Sequence, residues 1–156
     1  MRRDSLFERL LGTHMSKKKP IKFLSKSPEW MYSSQISLDK TRNKYMGFVY
    51  KIVNGKTGKF YIGQKKFWVG PKPPSKYKNK KVKESNWREY WSSCNELNEE
   101  LVRDGAKNFY REILGVYQTK WDMSYNELLL QLKYDVLSPT TNTYNSYVGC
   151  RLRKRK

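Results

Sequence analysis

Gly47-Phe48-Val49-Tyr50-Lys51-Ile52-Val53, then Asn54-Gly55-Lys56-Thr57-Gly58, then Lys59-Phe60-Tyr61-Ile62-Gly63 is the stretch on which the fold turns. Its first and last segments are rich in β-branched and aromatic residues, which suit a pleated, half-buried surface. The middle segment supplies asparagine and two glycines, the residues that tight turns use. The unit therefore reads as a β-hairpin, with Tyr50 on one strand and Tyr61 on the other.

Working outward, residues 65–83 carry Pro71, Pro73 and Pro74 and a dense run of lysines. Prolines forbid a regular helix, so this is expected to be a long basic loop, either a binding loop or a solvated one. Ser93 with Glu96 has the spacing of a capping box, Leu97 and Leu101 have helical spacing, and Gly105 ends the helix. Asn108–Tyr117 reads as a third strand, with a short helix as the alternative. Ser124 is expected to cap a second helix running to about Leu137, before Pro139. The order strand, strand, helix, strand, helix predicts an α/β (α+β) fold: a small three-stranded antiparallel sheet flanked by helices. The ordered domain is expected over residues 45–150, after a basic arm at 15–44 and before a basic tail at 151–156. Gly12-Thr13-His14-Met15 reads as a cloning junction, so residues 1–14 are set aside as a vector-derived leader; a short native amphipathic helix is the alternative.

The chain of 156 residues has 33 Lys and Arg against 14 Asp and Glu, a net charge of +19. Such an excess repels itself in a compact chain, and an anionic partner relieves it. Nucleic acid is the polyanion that fits, because neutralising phosphates releases condensed counterions. A basic structural protein of ribosomal type is the plain alternative. Cys94 and Cys150 belong to no Cys/His cluster, which argues against a disulfide scaffold or zinc site and suits a reducing cytoplasm. His14 is the only histidine, so catalysis in the body of the protein must use another base. No run approaches the roughly 20 apolar residues that span a bilayer.

Gly47-Phe48-Val49-Tyr50, ten intervening residues, then Tyr61-Ile62-Gly63 resembles the signature of the GIY-YIG nucleases. Trp87-Arg88-Glu89-Tyr90-Trp91-Ser92-Ser93 and Gly105 through Leu114 look like the middle of phage-encoded members. Tyr125-Asn126-Glu127 with Gln131, and Tyr144-Asn145, resemble their closing segment. The likeness covers roughly residues 46–150 and implies an endonuclease that hydrolyses double-stranded DNA. It implies one divalent metal, Mg²⁺ or Mn²⁺, held by a single glutamate, here Glu127, with waters completing the shell. It also implies a tyrosine as general base. Tyr50 is favoured for that role and Tyr61 for positioning water or phosphate, though the two can be exchanged. An unperturbed tyrosine titrates near about 10, so nearby cations (Lys59, Lys65 and Lys66) are expected to lower it.

The family's phosphate-binding arginine has no counterpart at its usual place, which is occupied by the Pro/Lys-rich loop. Arg88 is the next arginine and takes the role here, with Lys66 as the alternate cation; Trp91 stands near the place of a frequent family histidine. Asn145 is expected to position backbone beside the metal site or to serve a turn. Lys59, Lys65, Lys66, Lys76, Lys78, Lys80, Lys81 and Lys83 are expected to contact DNA phosphates, which position a duplex without reading it. With no second DNA-reading domain in view, low or short-sequence specificity follows, and any targeting partner is unnamed. Phage-type likeness implies a phage or mobile-element origin and action in the bacterial cytoplasm. Each residue also has a plainer reading: Tyr50 and Tyr61 as cross-strand packing partners, Glu127 as the third residue of a capping box with Ser124.

Overall fold

The computed structural model describes residues 29–32, 45–70, 83–149 and 152–154. Lys76, Lys78, Lys80 and Lys81, the 1–14 leader, most of the 15–44 arm, half of the 151–156 tail, and Cys150 lie outside the described residues.

The hairpin forms as read. Strand β2 (Gly47–Asn54) pairs antiparallel with β3 (Phe60–Lys66), with Tyr50 opposite Gly63 and Ile52 opposite Tyr61. Strand β6 (Phe109–Tyr117) lies antiparallel on the other side of β2, so Asn108–Tyr117 is the strand and not the helix. The sheet has four strands rather than three. The extra one, β1 (Trp30–Tyr32), runs parallel to β6 and comes from the stretch expected to be a flexible arm, giving the order β1-β6-β2-β3. Three residues in a polar context carry no readable period. What holds them is Trp30, buried with its ring 5.1 Å from Phe48 and 5.4 Å from Tyr50 and its indole N–H donated to the Trp87 carbonyl at 2.8 Å. The 65–83 stretch expected to be one long loop is strand at both ends: Lys65 and Lys66 close β3, and β4 (Trp68–Val69) pairs with β5 (Lys83–Glu84) in a two-residue ribbon, while residues 71–82 lie outside the described residues.

Alternation along β2 separates two cores. Phe48, Tyr50 and Ile52 face one side with Trp30, Phe67, Trp87, Leu97, Phe109 and Ile113. Val49 faces the other with Ile62, Met123 and Val136. Helix α1 (Asn95–Asp104) covers the first side through Leu97, and α2 (Lys120–Lys133) covers the second through Met123.

Both helix starts differ from the sequence reading. Cys94 caps α1 and makes no side-chain cap bond, while the Ser93 hydroxyl lies 3.5 Å from that of Tyr61. Glu96, the expected capping partner, instead pairs with Lys59. Helix α2 starts earlier than Ser124, because Thr119 accepts the amide of Asp122 at 3.0 Å and caps it. It ends at Lys133 rather than near Leu137, the chain turning back through Asp135 at φ 49° so that Val136 is buried. Gly105, at φ 82°, ends α1 as expected.

Buried polar groups tie the layers together. Arg111 on β6 is buried, its guanidinium 4.5 Å over Trp30 and 4.4 Å over Trp91, donating to the carbonyls of Arg88 (3.0 Å) and Tyr90 (2.7 Å). Burial lowers its pKa to about 10, so it remains charged at neutral pH. Asn54, fully buried at the end of β2, donates to Glu100 of α1 at 3.0 Å and to the Tyr144 hydroxyl at 3.2 Å.

If β1 is an integral strand, Trp30→Ala should cost about 3–5 kcal/mol, the usual range for deleting a buried aromatic. Tyr32→Ala, at the exposed end of the same strand, should stay within about 0.5 kcal/mol. Urea denaturation of both variants measures this, and a small effect at Trp30 would remove β1 from the stable sheet.

Candidate active site

Strand β3 is one edge of the sheet, and the site forms around that edge. A strand edge presents unpaired backbone groups that must be paired or covered. Here residues 142–145 cover it. Phe60 donates to the Asn142 carbonyl at 3.2 Å and accepts from the Tyr144 amide at 2.7 Å. One step along, the side chain of Asn145 replaces a strand: its Oδ1 accepts the Ile62 amide and its Nδ2 donates to the Ile62 carbonyl, both at 2.9 Å. Asn145 is thus a backbone-positioning residue at the site.

From the α1 side come the two tyrosines. Their rings lie 6.1 Å apart. Tyr50 is almost fully buried, and its phenol crosses the backbone of Gly63. A Cβ at Gly63 would stand 2.7 Å from the Tyr50 hydroxyl oxygen and 2.8 Å from the Tyr61 ring, so only glycine lets both side chains converge. A bulge in the β2–β6 register between Val49 and Tyr50 lies beside this position. Tyr90, whose carbonyl Arg111 anchors, packs edge-on against Tyr50 at 6.1 Å.

From the α2 side comes Glu127. Lys120, Ser124, Glu127 and Gln131 recur at spacings of four, three and four, which puts them on one helical face. That face runs antiparallel along β3: Gln131 donates to the Ile62 carbonyl at 3.3 Å, and Gln64 donates to Glu127 at 2.6 Å. Gln64 also lies 3.4 Å from the Ser124 hydroxyl. Ser124 sits inside the helix, so Glu127 is not a capping residue. Tyr50, Tyr61, Gln64, Ser93, Glu127 and Asn145 line one cleft of about 400 Å³.

The electrostatics differ from expectation. Burial raises Tyr50 well above the ordinary tyrosine value, and Tyr90, Tyr61 and Glu127 add to the rise. Tyr61 is raised by burial too, but its hydrogen bond to Ser93 pulls the other way. The expected lowering by Lys59, Lys65 and Lys66 is not found. Lys59 pairs with Glu96 and lies over the Tyr144 ring. Lys65 donates to Asn86 at 2.8 Å and lies 3.8 Å from the centroid of Tyr90, burial lowering its pKa. Lys66 is exposed on the opposite face, and Lys83 is exposed on β5. Among the described residues the cleft lining holds no lysine or arginine.

Arg88 is not brought to the cleft. Its Nε lies 3.2 Å from Glu84, and its guanidinium stacks 4.4 Å over Trp87. Trp91 packs edge-on against Phe109 rather than facing the cleft.

Burial raises the Glu127 carboxyl to about 7, only partly offset by the Gln64 amide. Among the described residues no lysine or arginine forms an ion pair with it. A carboxylate in that state favours a cation, and the neighbouring oxygens of tyrosine, serine and asparagine are hard donors. The described residues hold no group of three or more His, Cys, Asp or Glu, so a divalent ion here would keep several waters, as Mg²⁺ does. The sequence reading passed over Gln64, Tyr90 and Arg111. For Gln64 a signal existed: a polar residue two beyond Ile62, on the same buried face.

Residues 30–148 match the family described as "Putative endonuclease segE, GIY-YIG domain". No curated protein and no solved structure matches the chain. The match takes in β1, both signature tyrosines, Glu127 and Asn145, and the chain therefore belongs to the SegE GIY-YIG endonuclease-domain family.

Proposed function

We propose that the protein is a metal-dependent endonuclease that hydrolyses phosphodiester bonds of double-stranded DNA. The observation that carries this reading is the convergence of Tyr50, Tyr61 and Glu127 on one cleft at the edge of β3. Glu127 would hold Mg²⁺ or Mn²⁺. When bound, the ion supplies Lewis-acid stabilisation of charge on the phosphate and leaving oxygen. Gln64 holds one carboxylate oxygen of Glu127, leaving the other for the cation. Asn145 fixes the backbone between the tyrosines and Glu127.

The two tyrosines take exchanged roles relative to the sequence expectation. Tyr61 is the less buried and has Ser93 to support its phenolate, so it is the better general base. Tyr50, held neutral by burial, donates its hydroxyl to phosphate or water. Net charge of +19 and the absence of cations from the described cleft lining support phosphate capture by surface lysines, which favours low or short-sequence specificity. A phage or mobile-element origin and action in bacterial cytoplasm fit the same reading. No helix among the described residues is long and apolar enough to cross a membrane.

Cleavage of supercoiled plasmid tests the proposal. Wild type should cut with Mg²⁺ and stop with chelator, and Glu127→Ala should abolish cutting. Tyr61→Phe should slow it by about 10²–10⁴-fold, the range for a lost general base. Unchanged cutting by Glu127→Ala would sink the assignment of the glutamate. Tight binding without cutting by wild type would favour a non-catalytic DNA-binding module, a reading supported by the displacement of Arg88 from the cleft.

The raised Glu127 value gives a pH test in chelator. Its folded value, about 7, exceeds its ordinary value of 4.5, so the folded state binds the proton more tightly. That contribution is fully present below 4.5 and is lost as pH rises through about 7. Glu127→Gln should therefore match wild type in Tm near pH 4.5 and exceed it at pH 8. The excess should be on the order of 1 kcal/mol, or about 2–4 °C, after allowance for partial exposure. Equal Tm values at both pH values would contradict the raised pKa. In the cutting assay, activity should fall below pH 7 as the proton competes for Glu127.

A further inference from the structure

A second pocket, of about 280 Å³, lies beside the cleft and shares Gln64 with it. Its rim carries Lys65, Lys66, Lys120 and Ser85, and Met123 and Val69 give it apolar walls. Two elements bring the cations together. Lys66 stands two residues beyond Gln64 on the α2 face of β3, and Lys120 is the first residue of α2. Both are exposed, and among the described residues no carboxylate lies within ion-pair distance of either. They differ in this from Lys56 and Lys59, which are paired with Asp104 and Glu96.

The spacing connects this pocket to the cleft. Lys120 and Glu127 share one face of α2, seven residues apart, so about 10 Å separates them along the helix. A DNA strand advances about 3.4 Å per phosphate along its axis, so this distance, measured along the duplex axis, is a separation of about three nucleotides. We propose that the pocket is a second phosphate subsite, in which Lys66 and Lys120 take a backbone phosphate of the bound duplex about three nucleotides from the phosphate at Tyr61 and Glu127. The inference rests on the endonuclease reading and supplies the cations that the cleft lining lacks. The subsite sets the register of the strand in the cleft without reading its sequence.

Duplex binding by Lys66→Ala/Lys120→Ala, measured against salt in chelator, tests it. Each lost phosphate contact should reduce the slope of log K on log salt by about 0.9, so the double variant, which loses one phosphate, should lose about that much from the slope. A scan of single neutral methylphosphonates along one strand should then find a position that weakens wild type and leaves the double variant unaffected. Both lysines are exposed, and an unchanged Tm confirms that the variant is folded. An unchanged slope, or a methylphosphonate penalty that persists at every position in the variant, would overturn the subsite. These readouts need no cutting, so a failure of the subsite is distinct from a failure of wild type to cleave plasmid.

Discussion

The edge of β3 is the constraint from which the rest follows. An uncovered edge leaves amide and carbonyl groups without partners, and a barrel or a further strand would bury the very surface a large substrate must reach. This fold covers the edge with a short length of chain and one asparagine side chain. Asn145 satisfies both backbone groups of Ile62 yet occupies less room than a strand. The edge stays paired, and a cleft remains open beside it. Both faces of β3 can then contribute to one site: Tyr61 from the α1 side, Gln64 from the α2 side.

The side chains at that edge are held from behind by groups that never enter the cleft. Arg111 fixes the carbonyls of Arg88 and Tyr90, and Tyr90 in turn packs on Tyr50. Its guanidinium is sandwiched between Trp30 and Trp91, so β1 and the loop before α1 share one cation. Asn54, Glu100 and Tyr144 join the end of β2 to α1 and to the covering segment. Burial of these polar groups is costly unless each is hydrogen-bonded, and among the described residues none is left without a partner. A network of this kind leaves few alternative positions for the tyrosines and suits a site that must hold reacting atoms in place.

Charge is divided between two places. The cleft is polar and uncharged apart from Glu127, whose carboxyl burial raises to about 7. Positive charge lies around it, with Lys66 and Lys120 on the α2 side. On the proposed function, cations inside the cleft would compete with a metal for Glu127, whereas cations outside it would attract the duplex and leave the carboxylate available. The departure from the family pattern at Arg88 has the same logic, since that arginine is engaged by Glu84 and Trp87 on the surface.

The sequence by itself determined what local pattern and chemical type can determine. Alternation and turn residues set the β2–β3 hairpin, Gly105 ended α1, and the spacing of two tyrosines with a later glutamate and asparagine named the family and the side chains that meet in its cleft. It did not determine β1, because a three-residue strand has no period and is held by residues distant in sequence, through its pairing with β6 and the burial of Trp30. Nor did it determine either helix start: Ser93 and Ser124 both have capping chemistry, but Ser93 is drawn toward Tyr61 and Thr119 already caps α2. The position of Arg88 and the direction of the tyrosine shifts were decided by packing. A side chain's partners and the loss of water around it depend on what the folded chain brings near, and sequence distance does not report that.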